Sequence, residues 1–239
     1  MTTRWNLAIA ARVLVSACVL AATVSYARAQ EAVVPVNTEP RHLIKLDSAK
    51  YRVYDVLVEP GESTLFHTHT ADIFAILLTH AEVINEPLGG PKAEIRTQPG
   101  IVLFSAYSPS RPFVHRISTK GNTPFRNITI ELLQSGGSSS AAQLSEQTDP
   151  ALKLVRESPR GKAYRLDLEP GQSARLLPGS TDLFVICLSD GRVVDQPEKQ
   201  TPVSWDCKAG DFRLFEHPQN HLFKNGSTSR AELVIIGIK

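Results

Sequence analysis

The stretch Glu59-Pro60-Gly61-Glu62-Ser63-Thr64-Leu65-Phe66-His67-Thr68-His69 leads from a glycine turn into two histidines one residue apart. In a β-strand, side chains at i and i+2 leave the same face, so His67 and His69 can aim two imidazole nitrogens at one centre. Imidazole is a ligand for zinc, copper, iron and nickel. An H-x-H pair is not a site by itself. A third ligand and a pocket must come from other parts of the chain.

The elements that position the pair are short strands. Tyr51–Val58 is rich in β-branched and aromatic residues and stops at Pro60-Gly61. Further strands are predicted near 63–67, 72–78, 81–85, 93–97, 101–106, 112–118 and 125–133. Pro87, Gly89-Gly90-Pro91, Pro99-Gly100, Gly121 and Pro124 punctuate the gaps. No stretch here keeps a helical period, and many short strands at even spacing predict a sandwich or closed barrel. Residues 30–45 read as a lead-in strand or arm. Residues 135–149 are Ser/Gly-rich at their start, the composition of a flexible linker, with a short polar piece at 142–147 compatible with a helical turn.

The second half repeats the first. At an offset of 110, Glu59-Pro60-Gly61 falls on Glu169-Pro170-Gly171, Asp72 on Asp182, Phe74 on Phe184, Ile76 on Ile186 and Gly100 on Gly210. His115 falls on His221 at an offset of 106, so the first copy carries about four extra residues between Gly100 and His115. We read two copies of one β domain, 30–134 and 150–239, each of roughly 90 residues around its repeated core.

These motifs resemble the cupin superfamily, and the two copies resemble a bicupin. The first cupin motif runs Gly, five residues, His-x-His, three or four residues, Glu; Gly61 to His67-Thr68-His69 fits it. The second motif runs Gly, ten residues, His, three residues, Asn; Gly210, His221 and Asn225 fit it. In the first copy the interval from Gly100 to His115 is longer, and Thr119 stands where Asn is expected. The resemblance implies an all-β fold of two small antiparallel, jelly-roll-like barrels in tandem. It also implies one divalent transition metal in the mouth of the first barrel, with His67, His69 and His115 as ligands.

The family's glutamate is absent. Its nearest stand-in, Asp72, follows His69 at an odd step, which a regular strand would send to the opposite face, although a bulge could correct that. Asp72 also has a partner, Asp182, in a copy that lacks the histidines, so a structural role competes with ligation. In the second copy Leu177 and Gly179 replace His67 and His69, leaving only His221 and His217. That copy reads as metal-free, serving to cover the first barrel. His80 and His42 read as solvated loop or arm histidines. Tyr107 and Arg111 lie in the extra segment before His115 and are the candidate catalytic groups at the barrel mouth. There Tyr107 would donate a hydrogen bond and Arg111 would hold an anion; rim packing for Tyr107 and a solvated Arg111 are the competing readings. Leu65, Phe66, Phe74, Ile76, Phe104 and Phe113 are expected to line the barrel wall.

Composition bounds the rest. The 239-residue chain is 42% hydrophobic and 21% charged, ordinary for a globular protein. A net charge of +2 does not suggest a nucleic-acid or membrane-surface partner. Residues 1–29 have a basic start, an apolar run and Ala27-Arg28-Ala29, the pattern of a cleaved export signal; an uncleaved anchor and lipidation at Cys18 are the alternatives. Removing its three arginines from 26 basic residues leaves 23 against 24 acidic. Export, to a periplasm or the exterior, would permit a Cys187–Cys207 disulfide; two separate thiols are the alternative. No phosphate loop or Ser-His-Asp arrangement is present. What the cupin resemblance implies is a metal-dependent enzyme of the dioxygenase type on a small organic substrate. Iron is the first metal, with manganese, nickel or zinc as alternatives, and a homodimer is admitted. The competing expectation is a non-catalytic binding or structural protein.

Overall fold

The computed structural model describes residues 32–134, 149–177, 181–216 and 219–239. The N-terminal leader, residues 135–148 of the linker, Gly179 and His217 lie outside them. The first copy contributes β1 (Val33–Pro35), β2 (His42–Asp47), β3 (Tyr51–Val58), β4 (Phe66–His69), β5 (Asp72–Leu77), β6 (Glu82–Pro87), β7 (Ala93–Arg96), β8 (Val102–Ser105), β9 (Phe113–Thr119) and β10 (Phe125–Leu132). They form two sheets, ordered β1-β4-β9-β6-β7 and β2-β3-β10-β5-β8.

The second copy contributes β11 (Leu152–Ser158), β12 (Gly161–Leu168), β13 (Ser173–Leu176), β14 (Asp182–Cys187), β15 (Gly191–Pro197), β16 (Val203–Cys207), β17 (Phe212–Phe215), β18 (His221–Asn225) and β19 (Ala231–Ile238). Its sheets, β11-β12-β19-β14-β17 and β13-β18-β15-β16, repeat the first pair strand for strand. Among the described residues β1 alone has no counterpart; it pairs parallel to β4, with Val34 opposite His67. Among the described residues no helix is long and apolar enough to cross a membrane.

Strand alternation gives each central strand two buried faces. Phe74 and Ile76 of β5 and Ile128 and Ile130 of β10 pack on Phe184, Ile186, Val234 and Ile236 of the second copy. This core lies between the barrels. The expectation that Phe74 and Ile76 line the first barrel's interior is therefore corrected; the opposite face of β5, with Ile73, Ala75 and Leu77, turns to the cavity. Phe104 also packs on the inter-barrel core, Leu65 is exposed, and Phe66 lies under the Arg116 guanidinium. Of the six expected wall residues, Phe113 lines the cavity.

Reciprocal ion pairs frame this interface. Arg160 Nη1 meets Asp72 Oδ2 at 2.6 Å, and Lys50 Nζ meets Asp182 Oδ2 at 3.1 Å. Lys50 and Arg160 are themselves 110 residues apart, as are the two aspartates, so one repeat contact is made twice. The second barrel's interior is filled by Leu166, Leu168, Leu183, Val185, Phe223, Leu233 and Ile235. Cys187 and Cys207 are free thiols buried in that same core.

Candidate metal centre

The first barrel's interior is built differently. On β10, Asn127 and Thr129 face inward where β19 carries Leu233 and Ile235. The result is a cavity of about 220 Å³, and four histidines converge on it.

Ladder register brings the first three together. On β4, His67 and His69 share a face as the i, i+2 spacing requires, and antiparallel pairing sets His67 directly opposite His115 of β9. The Nε2 atoms of His69 and His115 are 3.2 Å apart. Two nitrogens bound to one ion at about 2.0–2.1 Å would lie roughly 3 Å apart. His42, the first residue of β2, arrives from the facing sheet, its ring centroid 4.5 Å from that of His67. One ligand atom each from His42, His67 and His69 lie within 4.8 Å of one another.

Three of the four rings are held by their far nitrogen. His42 Nδ1 donates to Glu39 Oε2 at 2.6 Å, His67 Nδ1 to the Leu65 carbonyl at 2.9 Å, and His115 Nδ1 to Asn85 Oδ1 at 2.7 Å. Each bond leaves Nε2 as the lone-pair atom, the arrangement that orients metal-binding histidines. His67 Nε2 and His69 Nδ1 are buried with no hydrogen-bond partner; that state is costly for polar atoms, and a cation held by the Nε2 atoms would relieve it at His67. Burial, reinforced by neighbouring imidazoles, pushes the pKa of His67 down to about 4, that of His69 to about 2 and that of His115 to about 3. All three are therefore neutral at neutral pH, the form that binds metal. Burial alone would raise the Glu39 carboxyl; hydrogen bonds from His42 and the Leu65 and Arg41 amides hold it below its usual range instead. The donor set and its supports fit a transition-metal ion.

The other candidates fall in different places. Asp72 is outside the cluster: besides Arg160 it accepts the Tyr107 amide at 3.1 Å. Tyr107 lines the cavity, its ring stacked 5.3 Å from Phe113 and tilted against His69 at 5.8 Å. Arg111 does not reach the cavity; Nη2 donates to the Ala106 carbonyl within its own exposed loop. His80 is exposed.

His42, expected to be solvated, is 8% exposed and belongs to the cluster. Its repeat partner on β11 is Leu152, the same His-to-Leu replacement that distinguishes His67 from Leu177. That comparison was the signal available for it. In the second barrel His221 keeps the bond of His115, to Asp195 at the position of Asn85, at 2.7 Å, but its companions are gone.

No sequence family and no curated protein matches the chain. Solved structures do match in shape. AerE from Microcystis aeruginosa is 12% identical over 84% of this chain and 98% of that chain, with a TM-score of 0.56. A salicylate 1,2-dioxygenase variant from Pseudoaminobacter salicylatoxidans is 10% identical over 80% and 72%, with a TM-score of 0.54. An oxalate decarboxylase from Lactobacillus farciminis is 12% identical over 80% and 78%, also at 0.54. At such identities the likeness shows the fold alone: an all-β pair of tandem cupin barrels.

Proposed function

We propose that the chain is an exported metalloprotein that holds one divalent transition metal in its first barrel through His67, His69 and His115, with His42 as a fourth donor, and acts as an oxygenase-type enzyme on a small organic substrate. The observation that carries this is the convergence of four imidazoles, three anchored through Nδ1, on a cavity that the repeat copy has filled with Leu and Ile. Iron is the first choice; manganese and nickel suit the same donors. A bound ion of this kind polarises a substrate oxygen or supports oxygen chemistry.

The chain's own groups then have defined tasks. Glu39, Leu65 and Asn85 fix the rings, the apolar walls exclude water, and Tyr107 offers the cavity its phenol. Asp72 and Arg111 have no part in this reading.

The four-histidine set also favours a second reading. Four donors leave open positions on an octahedral ion but close a tetrahedral one, as in structural zinc sites. With zinc, the protein would be a binding or structural module. Metal analysis of the purified protein beside His67→Ala/His69→Ala decides. About one equivalent of iron, manganese or nickel, lost in the variant, supports the enzyme; one of zinc supports the module; no metal, even on reconstitution, removes both. N-terminal sequencing of secreted material tests export and cleavage before Gln30, and light scattering tests a homodimer.

A further inference from the structure

The cavity's lining is distinctive for what it lacks. Among the described residues it contains no Asp, Glu, Lys or Arg. Its body is apolar, built by Val56, Ile73, Leu77, Leu103, Phe113 and Phe125. The basic side chains near it are committed elsewhere. Arg111 bonds its own loop, Arg160 pairs with Asp72, Arg52 pairs with Asp47 and Glu131, and Arg116 pairs with Glu86 over the outer Phe66 ring.

Most of the polar side chains that line the cavity hold a hydrogen bond within the wall. Thr129 donates to Asn127 at 2.7 Å, Thr97 bonds the Thr79 carbonyl and the Ala81 amide, Thr64 accepts the Ile117 amide, and Asn85 accepts from His115. The inward imidazole nitrogens, Tyr107, Ser105 and the amide nitrogens of Asn85 and Asn127 are left to address a ligand, and none of these side chains is a Lys or Arg. A carboxylate in such a site would lose its hydration and gain no counter-charge from the wall. At about 220 Å³ the cavity exceeds the roughly 150 Å³ that holds benzene in an engineered apolar cavity.

We infer that the substrate is a monocyclic, largely apolar molecule of substituted-benzene size, which offers oxygen donors to the metal and carries no charge on the remainder of its body. This rests on the metal reading for the donor end; the body's neutrality rests on the wall alone. Charge recognition of a carboxylate away from the metal has no cationic residue to perform it here.

The test uses two probes with the same vicinal diol, 4-methylcatechol and 3,4-dihydroxybenzoate, titrated into the cobalt(II)-loaded protein. Binding is read from the visible spectrum of the ion and from the shift in thermal midpoint. The methyl compound is expected to bind at least tenfold more tightly than the carboxylate. Equal or tighter binding of 3,4-dihydroxybenzoate overturns the inference, as does a loaded protein that responds to neither probe. A second arm uses metal-free protein with toluene and benzoate at equal concentration. Toluene is expected to raise the thermal midpoint and benzoate to leave it unchanged; stabilisation by benzoate to the same extent overturns the inference. A protein that takes up no cobalt while toluene still binds defeats the metal reading and leaves the neutral cavity standing.

Discussion

Glu39 is the residue at which the structure makes its sharpest quantitative demand. Its Oε1 accepts the Leu65 amide at 3.0 Å, and its Oε2 accepts the Arg41 amide at 2.8 Å and His42 Nδ1 at 2.6 Å. The side chain of Glu39 is 0% exposed. Glu39→Gln keeps the shape but replaces one acceptor oxygen with an NH2 donor. Placed toward Leu65, the amide nitrogen faces an N–H; placed the other way, it faces both the Arg41 N–H and the imidazole. The first orientation is the cheaper, and a buried donor left against a donor costs about 1–3 kcal/mol. For a chain of this size that lowers the melting temperature by roughly 2–4 °C per kcal/mol. Because Glu39 orients His42, metal affinity should also fall, by about 10–100-fold, the usual effect of removing an outer-shell partner. Chelator competition gives the affinity, and urea denaturation of the metal-stripped protein gives the stability. Asp72→Asn is the control, because it also perturbs an ion-paired carboxylate but a half-buried one outside the cluster. If Glu39→Gln loses stability yet binds metal within about threefold of wild type, His42 is not a ligand and the four-donor reading fails.

Asp72→Ala should leave metal content unchanged while destabilising the protein by about 2–4 kcal/mol, because it strands Arg160 in a largely buried ion pair across the barrels; metal loss at unchanged stability would make Asp72 a ligand instead. Gly100→Ala should cost about 2 kcal/mol or more in denaturant melts, since Gly100 has φ +83 and a Cβ there would lie 1.9 Å from Arg165 Nη1, which Asp167 and Glu232 hold in place; a neutral result would show that Arg165 swings free. In metal-stripped protein, stability should fall as pH drops below the ordinary histidine value of about 6.5. The unfolded chain takes up protons there while His67, His69 and His115, lowered to about 4, 2 and 3, do not. The stability they contribute is present above pH 6.5 and is lost progressively as pH falls through about 4, 3 and 2. A His67→Leu/His69→Leu variant should show a shallower decline, and equal slopes would contradict the burial of neutral imidazoles.

The barrels were legible because their signals are local. Turn glycines, period-2 strands and the 110-residue offset each occupy a few residues, and the pairing of β4 with β9 needed only the family motif to be anticipated. What was not legible depends on which face of a strand meets which partner. Phe74 and Ile76 read as barrel wall because both faces of β5 are apolar, and no pattern within a strand distinguishes an interior from an inter-barrel core. His42 was missed because it precedes the repeated motif, and its inward direction is set by its pairing with Val56 of β3.

Comparing the copies position by position supplies what a single strand cannot. Positions that face the inter-barrel core stay apolar in both: Ile128 and Ile130 against Val234 and Ile236. The inward positions diverge, with Asn127 and Thr129 against Leu233 and Ile235, His42 against Leu152 and His67 against Leu177. One copy fills its interior with apolar side chains and the other leaves a cavity into which histidine, Asn and Thr side chains project, although both share a backbone plan. Close packing makes that choice costly to reverse, because burying Asn or His without partners in the filled barrel would forfeit several kcal/mol. Conversely, leaving Asn, Thr and four His inside the first barrel lowers its stability relative to its twin unless something binds there. The divergence between the repeats, more than the H-x-H motif by itself, marks the first barrel as the one whose interior has the room and the donor atoms for a ligand.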